Sequence, residues 1–250
     1  MRVLALIPAR GGSVTLPRKN VLPFCGRPLI AYSIEAARSA AEAGAPIDRI
    51  IVSTDDAEIA EISCEWRAEV PFMRPPELAR SDTPSLPVVQ HALTFAEMEQ
   101  GIRYDWILLL QPTSPLRTGD DILRALEIGQ EPETTAVIGV TSANNYHPVK
   151  LKLIDNGVLK PYLGDTLMPQ RRQDFDFDVY KTNGAVYLAR RDVLMEQDSF
   201  FGACPRPLVM PPERSIDIDT RLDFEISEVL YRKFHLQESK EPMPCVARAT

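Results

Sequence analysis

Short apolar runs separated by longer amphipathic stretches set the rhythm of this chain. Residues 2–7, 49–53, 106–110 and 136–140 are nearly unbroken apolar runs of strand length, the pattern of strands buried on both faces of a parallel sheet. Between them, apolar residues return at three- and four-residue spacing. Ile30, Ile34, Ala37 and Ala41 predict a helix over 27–43, stopped by Gly44. Asp55 with Glu58 reads as a capping box for a helix ending near 64–65. Residues 68–72 form a short extended piece, and Thr83-Pro84 opens a helix whose stripe is Val88, Ala92, Phe95 and Ala96. Thr118 with Asp121 starts another, carrying Ile122, Leu123 and Leu126.

This alternation predicts an α/β fold with a doubly wound, mostly parallel, Rossmann-like sheet. The pattern changes near residue 141. Residues 149–154 and 158–162 flank Asn156-Gly157, the strongest hairpin signal in the chain. A polar stretch over 164–178 follows, and together these read as an arm or dimerisation flap inserted in the core. The sheet resumes near 185–188, with another short strand at 207–210 and a helix over 220–234 that places Leu222, Ile226, Val229 and Leu230 on one face. The expected division is a core of 1–140 and 183–234, an inserted hairpin and arm over 141–182, and a flexible tail over 237–250.

Composition narrows the partners. The 250 residues are 44% hydrophobic, enough for a sizeable core, and the net charge of −7 argues against bulk attraction to nucleic acid or an anionic membrane. No run approaches a membrane span or a signal peptide. Cys25, Cys64, Cys204 and Cys245 are widely spaced, which reads as reduced thiols in a cytoplasmic protein.

Candidate chemistry gathers at three places. After the first run come Arg10, Gly11, Gly12 and Ser13, then Arg18, Lys19 and Asn20. Glycines that turn the backbone and cations around the same turn suit phosphate; an ordinary βα turn with a solvated basic patch is the other reading. Gln111 to Arg117 follow the third run directly, where open α/β sheets place ligand chemistry. Asp217 and Asp219, two apart in an extended segment, share one face and can meet a divalent cation, with Ile216 and Ile218 turned into the core. Alternatively, Asp217 is a solvated edge residue and Asp219 helps cap the next helix. Paired with the basic loop, the aspartates make magnesium-assisted phosphoryl chemistry plausible. His91, His147 and His235 offer no rival site.

With these residues in view, the chain resembles the acylneuraminate cytidylyltransferases (CMP-sialic acid synthetases) and the related nonulosonate enzymes over residues 2–232. IPARGGS with LPRKN, STDDAEIAE, VPFMRP, LLQPTSPLR, RRQ, TNGAVY and SIDIDTRLDFE occur in that order. The resemblance implies transfer of CMP from CTP to the anomeric hydroxyl of an acidic nine-carbon 2-keto sugar, with Mg²⁺ as cofactor and pyrophosphate released. It also implies a homodimer whose arm reaches the partner's active site. It places Arg10, Ser13, Lys19 and Asn20 around the nucleotide phosphates and ribose, and Arg74 and Ser85 where the base is read. Gln111, Lys150 and Arg172 match sugar- or phosphate-binding positions, the last two on the arm. Asp217 and Asp219 match the metal pair. Arg10, Lys19, Arg172 and the two aspartates then form the catalytic set.

One position departs from the family. Ser13 is followed by Val14 and Thr15, where the family loop continues with lysine and glycine. Either Arg18 or Lys19 neutralises the triphosphate instead, or CTP is held differently. Legionaminate, pseudaminate and Kdo are alternative acceptors, Kdo being disfavoured by the later motifs. A catalytically silent nucleotide-binding dimer is the alternative of another class.

Overall fold

The computed structural model describes residues 1–13, 15–163 and 178–238. In chain order the elements are β1 (Val3–Pro8), the short pair β2 (Pro23–Phe24) and β3 (Arg27–Pro28), α1 (Leu29–Glu42), β4 (Ile47–Ser53) and α2 (Ala57–Glu65). Then come α3 (Ser85–Gln100), β5 (Trp106–Leu109), α4 (Gly119–Gly129), β6 (Ala136–Ser142), β7 (Lys152–Asp155) and β8 (Val158–Pro161). The chain closes with β9 (Tyr180–Arg190), α5 (Arg191–Glu196), β10 (Pro205–Val209) and α6 (Arg221–Glu238). The main sheet has six strands in the order β10-β6-β9-β5-β1-β4. β1 runs parallel to β4 and β5, and β10 parallel to β6, while β9 is antiparallel to both β5 and β6.

The unbroken apolar runs arise because each central strand serves two cores. Val3, Ala5 and Ile7 of β1 pack with α1, α2 and α4, whereas Leu4 and Leu6 pack with α3 and α5. β5 repeats the division, with Trp106 and Leu108 on one face and Ile107 and Leu109 on the other. At roughly 1.5–3 kcal/mol for each large side chain fully buried, a polar substitution on either face loses a core. A third cluster joins Leu16, Phe24, Leu29, Tyr32, Leu116, Ile218 and Phe224, and so ties the loop after β1 to the segment before α6.

Several local readings change. The cap of α2 is Asp56, whose side chain accepts from Ile59 N at 3.0 Å; Asp55 instead accepts from Gly11 N at 3.1 Å. The capping box of α4 forms as read, with Thr118 and Asp121 exchanging bonds. The residue 68–72 piece contributes only isolated bridges, Ile51 to Glu69 and Thr54 to Met73. On α6 the packing face is Phe224, Leu230 and Tyr231, and the stripe of Leu222, Ile226 and Val229 is exposed. The helix also reaches Glu238, two residues into the expected tail. The β7–β8 hairpin pairs antiparallel through Asn156 and Gly157, both at positive φ (49° and 79°), the geometry that selects an Asn-Gly turn. The arm residues 164–177, the tail residues 239–250 and Val14 lie outside the described residues.

Candidate functional site

The carboxyl ends of β1 and β5 open onto one polar cavity of about 240 Å³, the side of an open α/β sheet where ligands bind. Arg10, Ser13, Lys19 and Asn20 reach it from the loop after β1, Arg74 and Ser85 from the segment before and at the start of α3, and Gln111 from beyond β5. Seven residues singled out in the sequence therefore share one cavity. Local bonding sets their posture. Asn20 donates to Arg10 O at 3.0 Å and pins the loop on itself. Lys19 Nζ donates to Ile218 O at 2.6 Å and lies 3.7 Å from Asp219 Oδ1. Arg74 is buried and donates to Ser53 Oγ at 3.0 Å and to Ser53 O. Burial, with the nearby Arg10 charge, lowers its pKa to about 10 against the pull of Asp55, so it stays cationic at neutral pH.

The loop is less open to phosphate than its composition suggests. Gly11 N–H is committed to Asp55, and a Cβ on Gly11 would stand 2.6 Å from Asp56 Oδ2. That glycine is required by close approach. Of the two cations considered above, Arg18 is bound by Asp56 and Glu58 and does not line the cavity, whereas Lys19 does. Arg80 is a cation on the cavity wall that the sequence reading passed over, beside Ser81 and Thr83. Its only sequence signal was the polar, proline-punctuated stretch leading to α3.

Asp217 and Asp219 are not on a strand. They lie in an extended segment without ladder bonds, between the 3-10 turn Pro212–Arg214 and α6. Ile218 is fully buried and its N–H bonds Thr113 O at 2.9 Å, while Ile216 is only partly buried and lines a neighbouring cavity instead of entering the core. Capping of α6 falls to Thr220 and Asp223, which exchange hydrogen bonds, so Asp219 is free of that duty. Both aspartates line this second cavity of about 610 Å³, with Lys181, Thr182 and Asp223. Desolvation raises the Asp217 pKa, Asp219 and Asp223 push the same way, and the Thr113 hydroxyl and Lys19 oppose them.

Gly184, which is buried, stands beside one lining residue of each cavity, Gln111 of the first and Asp217 of the second. Its φ is +73°, and a Cβ there would stand 3.2 Å from Gln111 Oε1, 3.3 Å from Asp217 Oδ2 and 3.3 Å from Ser114 Oγ. Neighbouring Asn183 is buried and donates to Ser215 Oγ at 3.0 Å, fixing the start of the aspartate segment. Lys150 is exposed at the end of the turn Pro148–Lys150 and lines neither cavity. Arg172 lies outside the described residues. The arrangement offers a cation-lined pocket that suits a polyphosphate and a second cavity, walled in part by the two carboxylates, that suits an acceptor.

Comparison with known proteins bears on that chemistry. A family model described as cytidylyltransferase matches residues 4–204. CMP-N,N'-diacetyllegionaminic acid synthase of Legionella pneumophila is 35% identical over 92% of this chain and 96% of its own length. Pseudaminic acid cytidylyltransferase of Campylobacter jejuni is 32% identical, covering 94% and 98%. Among solved structures, a CMP:2-keto-3-deoxy-manno-octonic acid synthetase complexed with CTP superposes with a TM-score of 0.65 at 17% identity, over 94% of this chain and 100% of that one. That likeness concerns the fold, mixed sheet included.

Proposed function

Because the chain belongs to the cytidylyltransferase family, we propose that it transfers CMP from CTP to the anomeric hydroxyl of a sialic-acid-like nonulosonic acid and releases pyrophosphate. The observation that carries this reading is the convergence of Arg10, Lys19, Arg74 and Gln111 on one cavity, with Gln111 Oε1 and Asp217 Oδ2 both close to the Cβ position of Gly184. The acceptor hydroxyl attacks the α-phosphorus in line and pyrophosphate leaves. Arg10, Lys19 and Arg80 offset phosphate charge. Arg74 and Ser85 face the base, with Ser13 and Asn20 at the ribose and phosphates, and Gln111 orients the sugar. Lys150 and Arg172 are assigned to the arm of a partner subunit.

Among the described residues no cluster of three or more His, Cys, Asp or Glu could hold a metal by itself. Mg²⁺ needs no such cluster, since one or two carboxylates suffice when phosphate oxygens and water complete the shell. Desolvation is the main influence that raises the Asp217 pKa, and the Asp219 and Asp223 charges add to it; a cation beside these carboxylates would offset both, so the residues fit. Asp217 and Asp219 would hold it; when bound, it supplies positive charge at the α-phosphate and acidifies the attacking hydroxyl.

N-acylneuraminate, legionaminate and pseudaminate are the acceptors to separate, because the relatives above are named for different sugars. The exposed apolar residues of β7–β8 favour a second copy as the partner. No helix of the described residues is long and apolar enough to cross a membrane. Pyrophosphate release with CTP, Mg²⁺ and each sugar in turn tests the reading. One sugar is expected to be preferred by at least tenfold in kcat/KM; no release with any of them leaves a nucleotide-binding protein and overturns the enzyme.

A further inference from the structure

A separate cavity of about 330 Å³ lies between α1, residues 115–118 and the carboxyl-terminal part of α6. Its body is apolar and aromatic, with Tyr32, Leu116, Tyr231 and Phe234 on the walls and the two tyrosine rings 5.1 Å apart edge to face. Three guanidiniums also line it, those of Arg27, Arg117 and Arg214. Arg27 is balanced: it pairs with Glu35, donates to Tyr231 Oη at 2.6 Å and lies 4.5 Å over the Tyr32 ring.

The other two are not. Arg214 Nη2 meets Asp121 Oδ1 at 2.8 Å, and the second oxygen of Asp121 is spent on the α4 cap. Arg117, only 4% exposed, reaches neutral acceptors: Ala185 O at 2.6 Å, Gln111 O at 3.3 Å and the Ser33 hydroxyl. The Nε of Arg117 and the Nε of Arg214 are both buried without a hydrogen-bond partner among the described residues. Of these two guanidiniums beside the apolar cavity, only that of Arg214 pairs with a carboxylate among the described residues. An uncompensated charge in such surroundings is costly, and an anion relieves it.

The geometry points to a binding site for a small organic anion here, a planar apolar body carrying one carboxylate. The body fits between the aromatic walls and the carboxylate faces Arg214. Occupancy bears on the catalytic end of the sheet, because Arg117 holds the carbonyls of Gln111 and Ala185 and Arg214 immediately precedes Ser215; that last step rests on the function proposed above, whereas the binding does not.

Calorimetry on the full chain with benzoate tests the site, benzyl alcohol serving as its neutral counterpart. Benzoate is expected to bind one to one, equally with and without saturating CTP, and benzyl alcohol at least tenfold more weakly. Arg214→Gln should weaken benzoate at least tenfold, and Ala36→Leu, which fills the wall, should abolish it while CTP affinity is retained. Absence of benzoate binding, displacement by CTP, equal binding of the alcohol, or indifference to both substitutions overturns the inference. Failure of CTP itself to bind counts against the proposed function and leaves this site standing.

Discussion

Arg80 is the residue on which the electrostatics of the proposed nucleotide pocket turn. Around the loop after β1, Arg18 is held by Asp56 and Glu58, and Lys19 is shared with Ile218 O and Asp219. Arg74 is folded onto Ser53. Arg10 and Arg80 remain as cavity-lining cations whose guanidiniums make no ion pair or hydrogen bond among the described residues. A tetra-anionic triphosphate needs more than one. Arg80→Ala is expected to raise KM for CTP about tenfold, equivalent to about 1.4 kcal/mol, with kcat little changed, since a ground-state contact is removed. Val14→Lys, which restores the residue usual in the resembling family, should recover most of that loss in the same background. Steady-state kinetics at fixed Mg²⁺ decide it; an unchanged KM for Arg80→Ala removes that side chain from the phosphates.

At the scale of elements, an ion pair joins α3 and α5, the two helices on one face of the sheet. Glu97 of α3 accepts from Arg191 Nε at 2.8 Å and Nη2 at 2.9 Å, and from Tyr104 N at 3.0 Å, in a half-buried setting. Although desolvation is the largest single influence and raises it, the hydrogen bonds from Arg191 and Tyr104 together win, and the net Glu97 pKa is lowered. A carboxylate depressed in the folded state contributes stability above its unfolded pKa and loses it as pH falls through the folded value. Glu97→Gln should therefore cost about 1 kcal/mol at neutral pH, the difference between charged and neutral hydrogen bonds. That cost should shrink as pH is lowered through the carboxylate range, which urea midpoints at each pH would measure; a constant cost would assign the effect to packing. The same elements show what the sequence discloses. Strands buried on two faces and the Thr118–Asp121 box are local patterns, so they could be read directly. The cap of α2 misled because Asp55 and Asp56 are equivalent locally and only Gly11, distant in sequence, claims Asp55. The exposed stripe on α6 misled because periodicity names a face without saying which one packs. The seven residues that share the candidate cavity were singled out through ordered motifs, while Arg80 and Gly184 take their meaning from neighbours brought together by the fold.

For the whole molecule, the question is what covers β7–β8. A two-stranded hairpin is marginal alone in water, and this one presents Ile154 at 78% exposure and Leu159 at 67%, with Leu153 and Val158 also exposed. A contiguous apolar surface of this kind marks an interaction site. It projects from the segment that separates β6 from β9, and the strand ends that flank this segment, Thr141, Ser142 and Lys181, line the cavity that holds Asp217, so a second copy docking on the hairpin would approach the proposed acceptor site. Two-fold pairing buries the same patch on both chains. Replacing Ile154 by Glu and Leu159 by Lys together is expected to shift the mass in light scattering from twice the chain mass of 28.0 kDa to once that value. Because both positions are exposed in the single chain, its melting temperature as a monomer should be nearly unchanged by charge alone. Turnover with the preferred sugar should fall at least tenfold while CTP binding persists, since the nucleotide pocket is built within one chain. A monomer that keeps full turnover would show that the arm is not needed for the chemistry, and a dimer that survives both substitutions would move the interface elsewhere, with the exposed Leu222, Ile226 and Val229 stripe of α6 the next surface to test.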